Sequence, residues 1–274
     1  MMRKITLGQY YSVESFVHSL DPRVKLFATM IYVISLFVVN NWLGYLVGAI
    51  ALAAYIRASK VPFSFIIRGL KPIIFLLCFS VLFNLFLTDG GQVLVKFWII
   101  QITTQGVKTA VFMAIRLILL IIGSSIMTYT TTPNQLTDAM EKSLGFLKKI
   151  KIPVHELAMM MSIALRFIPI LVEETDKIMK AQMARGANFE EGGLIEKAKA
   201  MVPILVPLFI SAFRRATDLA LAMEARCYHG GEGRTKMKPL KYESRDIIAY
   251  LVVILYVVLV FVIGRKFPMH IWIF

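Results

Sequence analysis

IIAYLVVILYVVLVFVIG, residues 247–264, runs for eighteen residues without a charge and stops at Arg265. A stretch of that length reads as a transmembrane helix, because crossing the hydrocarbon of a bilayer takes ~20 apolar residues. The composition of the whole chain agrees. Of its 274 residues 58% are apolar, above the ~45–50% of ordinary soluble domains. Formal net charge is +14. A nucleic-acid binder carries such an excess, but seldom beside long uncharged runs, and in a membrane protein the excess reports topology instead. No nucleic-acid partner is expected. Cys78 and Cys227 supply neither a disulfide framework nor a CxxC metal site. The start, MMRKITLGQYYSVESF, has no apolar core, so no cleavable signal peptide is expected.

Four further apolar runs precede the last one. The first helix opens at Asp21 as N-cap with Pro22 at the first helical position, where its missing N–H costs nothing. It continues through LFATMIYVISLFVV to Asn40 and Asn41. WLGYLVGAIALAAYI follows and ends at Arg57, and PIIFLLCFSVLFNLFLT ends before Asp89. QVLVKFWIIQITTQGV is amphipathic and fits either a surface helix or a short hairpin. The fourth run covers about Thr109 to Tyr129 and holds Arg116, which fits either snorkelling or pairing with a backbone carbonyl, or else a contact to a neighbouring span or subunit. With the N-terminus inside, segments 1–25, 57–71 and 131–246 hold 4, 4 and 18 Lys/Arg. The two short segments carry the positive-inside argument, since long loops weaken it. The N-terminus and the 131–246 segment are therefore expected in the cytoplasm and the C-terminus outside, in the cell membrane.

Segment 131–246 is too long for an ordinary loop and holds helical patterns that read as too charged to cross a bilayer. Thr132, Pro133 and Gln135 form a capping-box start, and that helix ends near Lys148-Lys149-Ile150-Lys151. A second helix runs from Pro153 to about Arg185, with an apolar stripe through Leu157, Met161, Ala164, Ile168, Leu171 and Ile178. A third runs from about Leu194 to Arg226. Pro169, Pro203 and Pro207 inside these helices predict kinks. The expected fold is all-α: about five transmembrane helices plus a cytoplasmic or interfacial domain of three amphipathic helices, divided as 1–130, 131–246 and 247–274.

The two long helices finish alike, in TDKIMKAQMARGANFEE and TDLALAMEARCYHGGEG. Each has a Thr-Asp pair and then Ala-Arg, followed by Gly186 or Cys227. Ala184 and Ala225 are small enough to let another surface approach. Arg185 and Arg226 sit in the last turn, where the helix dipole favours a cation, and present a forked donor to a carboxylate. Gly186 suits the left-handed residue that closes a helix. Each end alone reads as a solvated terminus; two like ends suggest two like partners. A helix of roughly 33 residues separates the arginines, so they lie up to ~50 Å apart and suit separate neighbours rather than one active site.

DPRVKL near the start, PVHELAMMMSIALRFIPILVEETDKIMKAQMARG, and PLFISAFRRATDLALAMEARCYHGGEGRTK resemble the transmembrane coupling subunit of energy-coupling factor (ECF) vitamin transporters, the EcfT/CbiQ family. The resemblance covers essentially the whole chain and is densest from 131 to 238. It implies a non-catalytic subunit that joins two cytoplasmic ABC-type ATPases, expected as a heterodimer, to an exchangeable substrate-capture membrane protein. It implies also that two Ala-Arg-Gly motifs dock on the ATPases. Here they fall on Ala184, Arg185, Gly186 and on Ala225, Arg226, Cys227. Cys227 departs from glycine and resists the left-handed conformation, so the second helix is expected to end differently or to run past Arg226. The family's capture protein rests on the coupling helices, where Met159, Met160, Met161, Met179 and Met183 fit either an adaptable surface or ordinary core. The resemblance is nearer the shared, multi-substrate form than the metal-dedicated one.

Other signals fall short. Gly-Gly-Glu-Gly-Arg-Thr at 230–235 lacks the glycine, lysine and preceding strand of a phosphate loop. His18, His155, His229 and His270 have no metal-ligand spacing, and no cofactor site or catalytic triad is visible. A carrier working alone on an ion gradient is the alternative function, but the spans hold no acid and show no inverted repeat. An integral membrane enzyme would need catalytic groups that are absent from the pattern.

Overall fold

The computed structural model describes residues 10–39, 41–88, 90, 92–97, 100–187, 189, 193–231, 237 and 239–266. The phosphate-loop-like 232–236 and the tail from 267 lie outside them. The chain forms two compact units, one of residues 8–139 with 240–274 and one built on 140–239.

In the first unit Asp21 caps α1 (Pro22–Val38) as expected, its carboxylate accepting the Arg23 amide. The cap of α2 (Trp42–Ser59) is Asn41, which accepts from Gly44 N–H. A short α3 (Phe63–Leu70) and α4 (Ile74–Leu87) follow, joined through a 3₁₀ turn at Lys71–Ile73 and bent by 59°. The single straight run expected at 72–88 is thus the second arm of a bent pair, because Pro72 withholds an N–H at the junction. Residues 92–97 and 100–103 resolve the open choice in favour of a hairpin, with β1 (Val93–Phe97) antiparallel to β2 (Ile100–Thr103). Thr103 then caps α5 (Thr104–Thr130) through Gly106 N–H. The last helix is α9 (Ser244–Lys266).

Helices α1, α2, α5 and α9 enclose an apolar core of Leu36, Tyr45, Leu52, Phe112, Leu119, Ile126 and Val260. Gly123 on α5 lies against the Tyr32 ring of α1, too close for any Cβ. Arg116 is buried, and its Nε donates to the Tyr45 hydroxyl on α2 at 2.8 Å, a contact to a neighbouring helix of the kind the sequence allows. One end of the bundle is stitched by charge. Asp246 accepts the Asp21 amide and the Glu243 amide, each at 2.8 Å. Lys25 is 2% exposed and donates to the carbonyls of His18 and Thr130. The chain before α1 folds onto the same end, with Tyr11 N–H bonded to the Tyr129 carbonyl.

The helix α6 (Pro133–Ser143) starts in the first unit; in the second it tightens into a 3₁₀ segment, Leu144–Ile150, and closes on a left-handed Lys151. The expected capping box is present, Thr132 and Gln135 exchanging bonds of 3.0 and 3.3 Å. Two long helices follow, α7 (Val154–Ala184) and α8 (Leu194–Ala225), each continuing through its prolines.

The chain is an all-α polytopic membrane protein with one small hairpin. Among the described residues five single helices are long and apolar enough to cross a membrane: α2, α5, α7, the Ala198–Ala225 part of α8, and α9. The sequence reading held α7 and α8 too charged for this. In α7 five charges, Glu173, Glu174, Asp176, Lys177 and Lys180, fall in the second half, so the first half, interrupted by Glu156 and Arg166, is apolar enough by length and composition.

Candidate functional site

Helix ends leave backbone groups without partners inside the helix, and a left-handed residue just past the end lets the chain turn back and satisfy them. Both long helices do this with the same bonds. At the end of α7, Gly186 N–H bonds to the Met183 carbonyl and Ala187 N–H to that of Gln182, each at 3.0 Å. At the end of α8, Cys227 N–H bonds to the Glu224 carbonyl at 2.8 Å and Tyr228 N–H to that of Met223 at 3.1 Å. Gly186 has φ +92° and Cys227 φ +54°. The expectation that cysteine would make the second helix end differently is therefore corrected. The two bonds of the closing turn hold Cys227 in a conformation that costs a side-chain-bearing residue about 1–2 kcal/mol.

All six motif residues, Ala184, Arg185, Gly186, Ala225, Arg226 and Cys227, are exposed. They form two sites. Helices α7 and α8 pack antiparallel: Gln182 reaches the Pro203 carbonyl, Arg215 pairs with Glu174 at 3.0 Å, and Ile163 shares a cavity wall with Met223. In this register Arg226 stands level with the residues near 160 and Arg185 with those near 201. The arginines thus lie on the order of 40 Å apart, counting 1.5 Å per residue. Each is at a helix C-terminus, where the dipole complements its charge.

The packing coincides with the expected stripe only in part, at Leu171. Ile163, Phe167 and Leu171 face Ala212, Ala216 and Ala220 around a cavity of about 330 Å³. Leu157, Met161 and Ile168 are exposed, because the small residues of α8 meet the neighbouring row of α7. The methionines are split as well. Met160, Met161 and Met183 are exposed, while Met159 and Met179 are half-buried. Met159–Met161 lie level with Arg226, and Met179 and Met183 precede Arg185 on the same helix, about 27 Å further along it.

The two ends differ in what supports them. A Cβ on Gly186 would meet nothing within 4 Å. After Cys227, by contrast, the chain folds back along α7, and Gly231 lies against the His155 ring with no room for a side chain. His155 is fixed in turn by a 2.9 Å contact of its Nδ1 with Glu141. This clasp is not visible in the sequence, where His155 is one of four scattered histidines. Among the described residues no group of His, Cys, Asp and Glu is placed to hold a metal ion.

The family model described as "Cobalt transport protein", CbiQ, matches residues 13–237. The chain belongs to the CbiQ/EcfT family. It is 55% identical to the energy-coupling factor transporter transmembrane protein EcfT of Clostridium kluyveri, over 92% of this chain and 93% of that one. It is 52% identical to EcfT of Ruminiclostridium cellulolyticum over 90% and 92%, and 46% identical to EcfT of Bacillus subtilis over 93% and 97%. A CbiQ/EcfT chain is a transmembrane component of a transporter, so this one sits in a membrane and works in transport.

Proposed function

We propose that the chain is the coupling component of an ECF importer, with Arg185 and Arg226 each engaging one of two cytoplasmic ABC-type ATPases. The observation that carries this is the pair of helix ends: one closing geometry, used twice, at opposite tips of one antiparallel helix pair. Two like devices that far apart suit two similar subunits. The chain itself is read as non-catalytic, ATP being hydrolysed by the partners. ATP-driven approach of those subunits would load both tips, and α7 and α8 would pass the motion to a substrate-capture protein that draws a micronutrient such as a vitamin across the membrane.

On this reading α1, α2, the bent α3–α4 pair, α5 and α9 cross the cell membrane, with the N-terminus and the α7–α8 pair in the cytoplasm. The short basic segments 1–25 and 57–71 support that sense. Charge spaced along α7, from Glu156 and Arg166 to Lys180, supports leaving that pair out of the hydrocarbon, where each exposed charge is costly. The exposed Met160 and Met161 supply a pliable surface for exchangeable capture proteins. Replacing Met159–Met161 with β-branched residues should then weaken different capture proteins unequally in pull-downs, and equal loss across all of them contradicts that role. The docking role is tested by Arg185→Glu: the chain should remain inserted while uptake stops, and normal uptake contradicts the proposal.

A further inference from the structure

Between α1, α2, α5 and α9 lies a cavity of about 290 Å³ whose lining is almost wholly apolar. Small residues keep it open. Ala28, Ala51, Ala54, Ala58, Gly123 and Ala249 all line it, where larger aliphatic side chains would fill the space. Its inner wall reaches the buried Val24 and Leu52, and its rim carries the exposed Ala54 and Ala58 of α2 and Ile248 and Val252 of α9. The cavity is therefore a slot that opens sideways between α2 and α9.

An empty slot forfeits the dispersion contacts its walls would otherwise make. Water gains little there, since a cavity so largely apolar gives it few hydrogen-bond partners. The lining runs along α9 from Ile248 to Tyr256, about 12 Å at 1.5 Å per residue, which is most of one leaflet of a hydrocarbon core ~30 Å thick. A slot of that depth, open to the bilayer, fits a lipid acyl chain. A second helix, ~10 Å across, would seat side chains at the rim but not reach the inner wall.

The charge at the end of the slot selects among lipids. Arg57 and Lys60 are exposed at the C-terminal end of α2, and Lys241 and Arg245 at the N-terminal end of α9. Against these four cations stand Glu14, whose carbonyl accepts from Lys60, and Glu243, paired with Arg245 at 2.9 Å. The balance is two positive charges. Lys25 also lines the slot, but its ammonium is held by the carbonyls of His18 and Thr130, so the headgroup falls to the outer cations.

We propose that the slot between α2 and α9 binds one anionic glycerophospholipid, with an acyl chain inside it and the phosphate among Arg57, Lys60, Lys241 and Arg245. The site is independent of the ATPase-docking role and would stand if that role fell.

The full chain in neutral detergent, offered phosphatidylglycerol or phosphatidylcholine of the same acyl chains, tests this by native mass spectrometry. One phosphatidylglycerol should stay bound under activation that strips phosphatidylcholine. Arg57→Gln with Lys60→Gln should lower its affinity on the order of tenfold, and Ala51→Phe should abolish retention of either lipid. Because Ala51→Phe also loads the core, a photoreactive amino acid at Ala54 provides a second measurement in intact membranes. Adducts there should be lipid, enriched in anionic species over the bulk membrane. Equal retention of the two lipids, an unchanged affinity in the Arg57–Lys60 variant, or an adduct to a protein partner at position 54 would each overturn the proposal.

Discussion

Cys227 occupies in the end of α8 the place that Gly186 occupies in the end of α7, with positive φ and the same pattern of backbone bonds around it. Glycine takes this conformation without strain, whereas cysteine pays for its Cβ. Cys227→Gly should therefore raise the thermal stability of the second unit by about 0.5–1 kcal/mol, part of the relieved strain being lost to the greater freedom of glycine when unfolded. Cys227→Val should lower it, since a β-branched residue tolerates positive φ least. Thermal unfolding of the two variants in one detergent decides the matter; equal melting temperatures would mean that the position carries no strain.

Gly231 lies against His155 where no Cβ fits, so Gly231→Ala should lift the chain after Cys227 away from α7. Hydrogen exchange should quicken at Tyr228–Gly231 and in the first turn of α7, while the amides around Arg185 stay as they were. Faster exchange at both helix ends, or at neither, would show that the clasp does not support the Arg226 end alone.

Tyr45→Phe removes the acceptor of the buried Arg116 Nε and should cost about 1–3 kcal/mol, the usual penalty for stranding a buried polar group. Adding Arg116→Met should recover part of that loss, because the guanidinium that lost its acceptor is removed with it. Melting temperatures of the single and double variants give the coupling directly, and strictly additive losses would rule the interaction out.

His18 lies outside the spans, and its ring is held on both sides. The Tyr11 carbonyl accepts only, so Nε2 carries the proton, leaving Nδ1 to accept from the Ser15 hydroxyl. Burial, aided by the charge of Lys25, holds this histidine below its ordinary pKa of 6.5, although the Tyr11 carbonyl pulls the other way. The unfolded chain then takes up the proton at a higher pH than the folded one. Its stabilising contribution is complete above 6.5 and is lost as pH falls through the depressed value. Lowering the pH from about 7.5 to about 5.5 should reduce the melting temperature, and His18→Gln should flatten the part of that slope that His18 supplies.

The helices were legible because their signals are local. Asp21 with Pro22, and Thr132 with Gln135, announce their helix starts within four residues, and both caps formed as read. The bend at Lys71–Ile73 was missed because the apolar run was started at Pro72, leaving Phe63–Leu70 in the basic flank as if it were not helical. The clasp of Gly231 on His155 and the burial of Lys25 under Thr130 join residues far apart in sequence, and no periodicity marks such pairs. At the candidate site the sequence marked both arginines but misjudged Cys227, since local conformational cost was weighed without the hydrogen bonds that offset it. Of the apolar stripe read on α7, Leu171 faces the alanines of α8, but Ile163 and Phe167 rather than Met161 and Ile168 complete the packing row, a choice made by α8 rather than by α7 itself.

The central claim is that the two arginine tips serve two different neighbours. Affinity purification of the assembled transporter from membranes carrying the wild-type chain, Arg185→Glu or Arg226→Glu, with the ATPases quantified by mass spectrometry, tests it most directly. The wild-type chain should bring down two ATPase copies, and each variant should lose mainly one, a different one in each case if the pair is a heterodimer. Full recovery of both ATPases with both variants, or no ATPase with the wild-type chain, would contradict it.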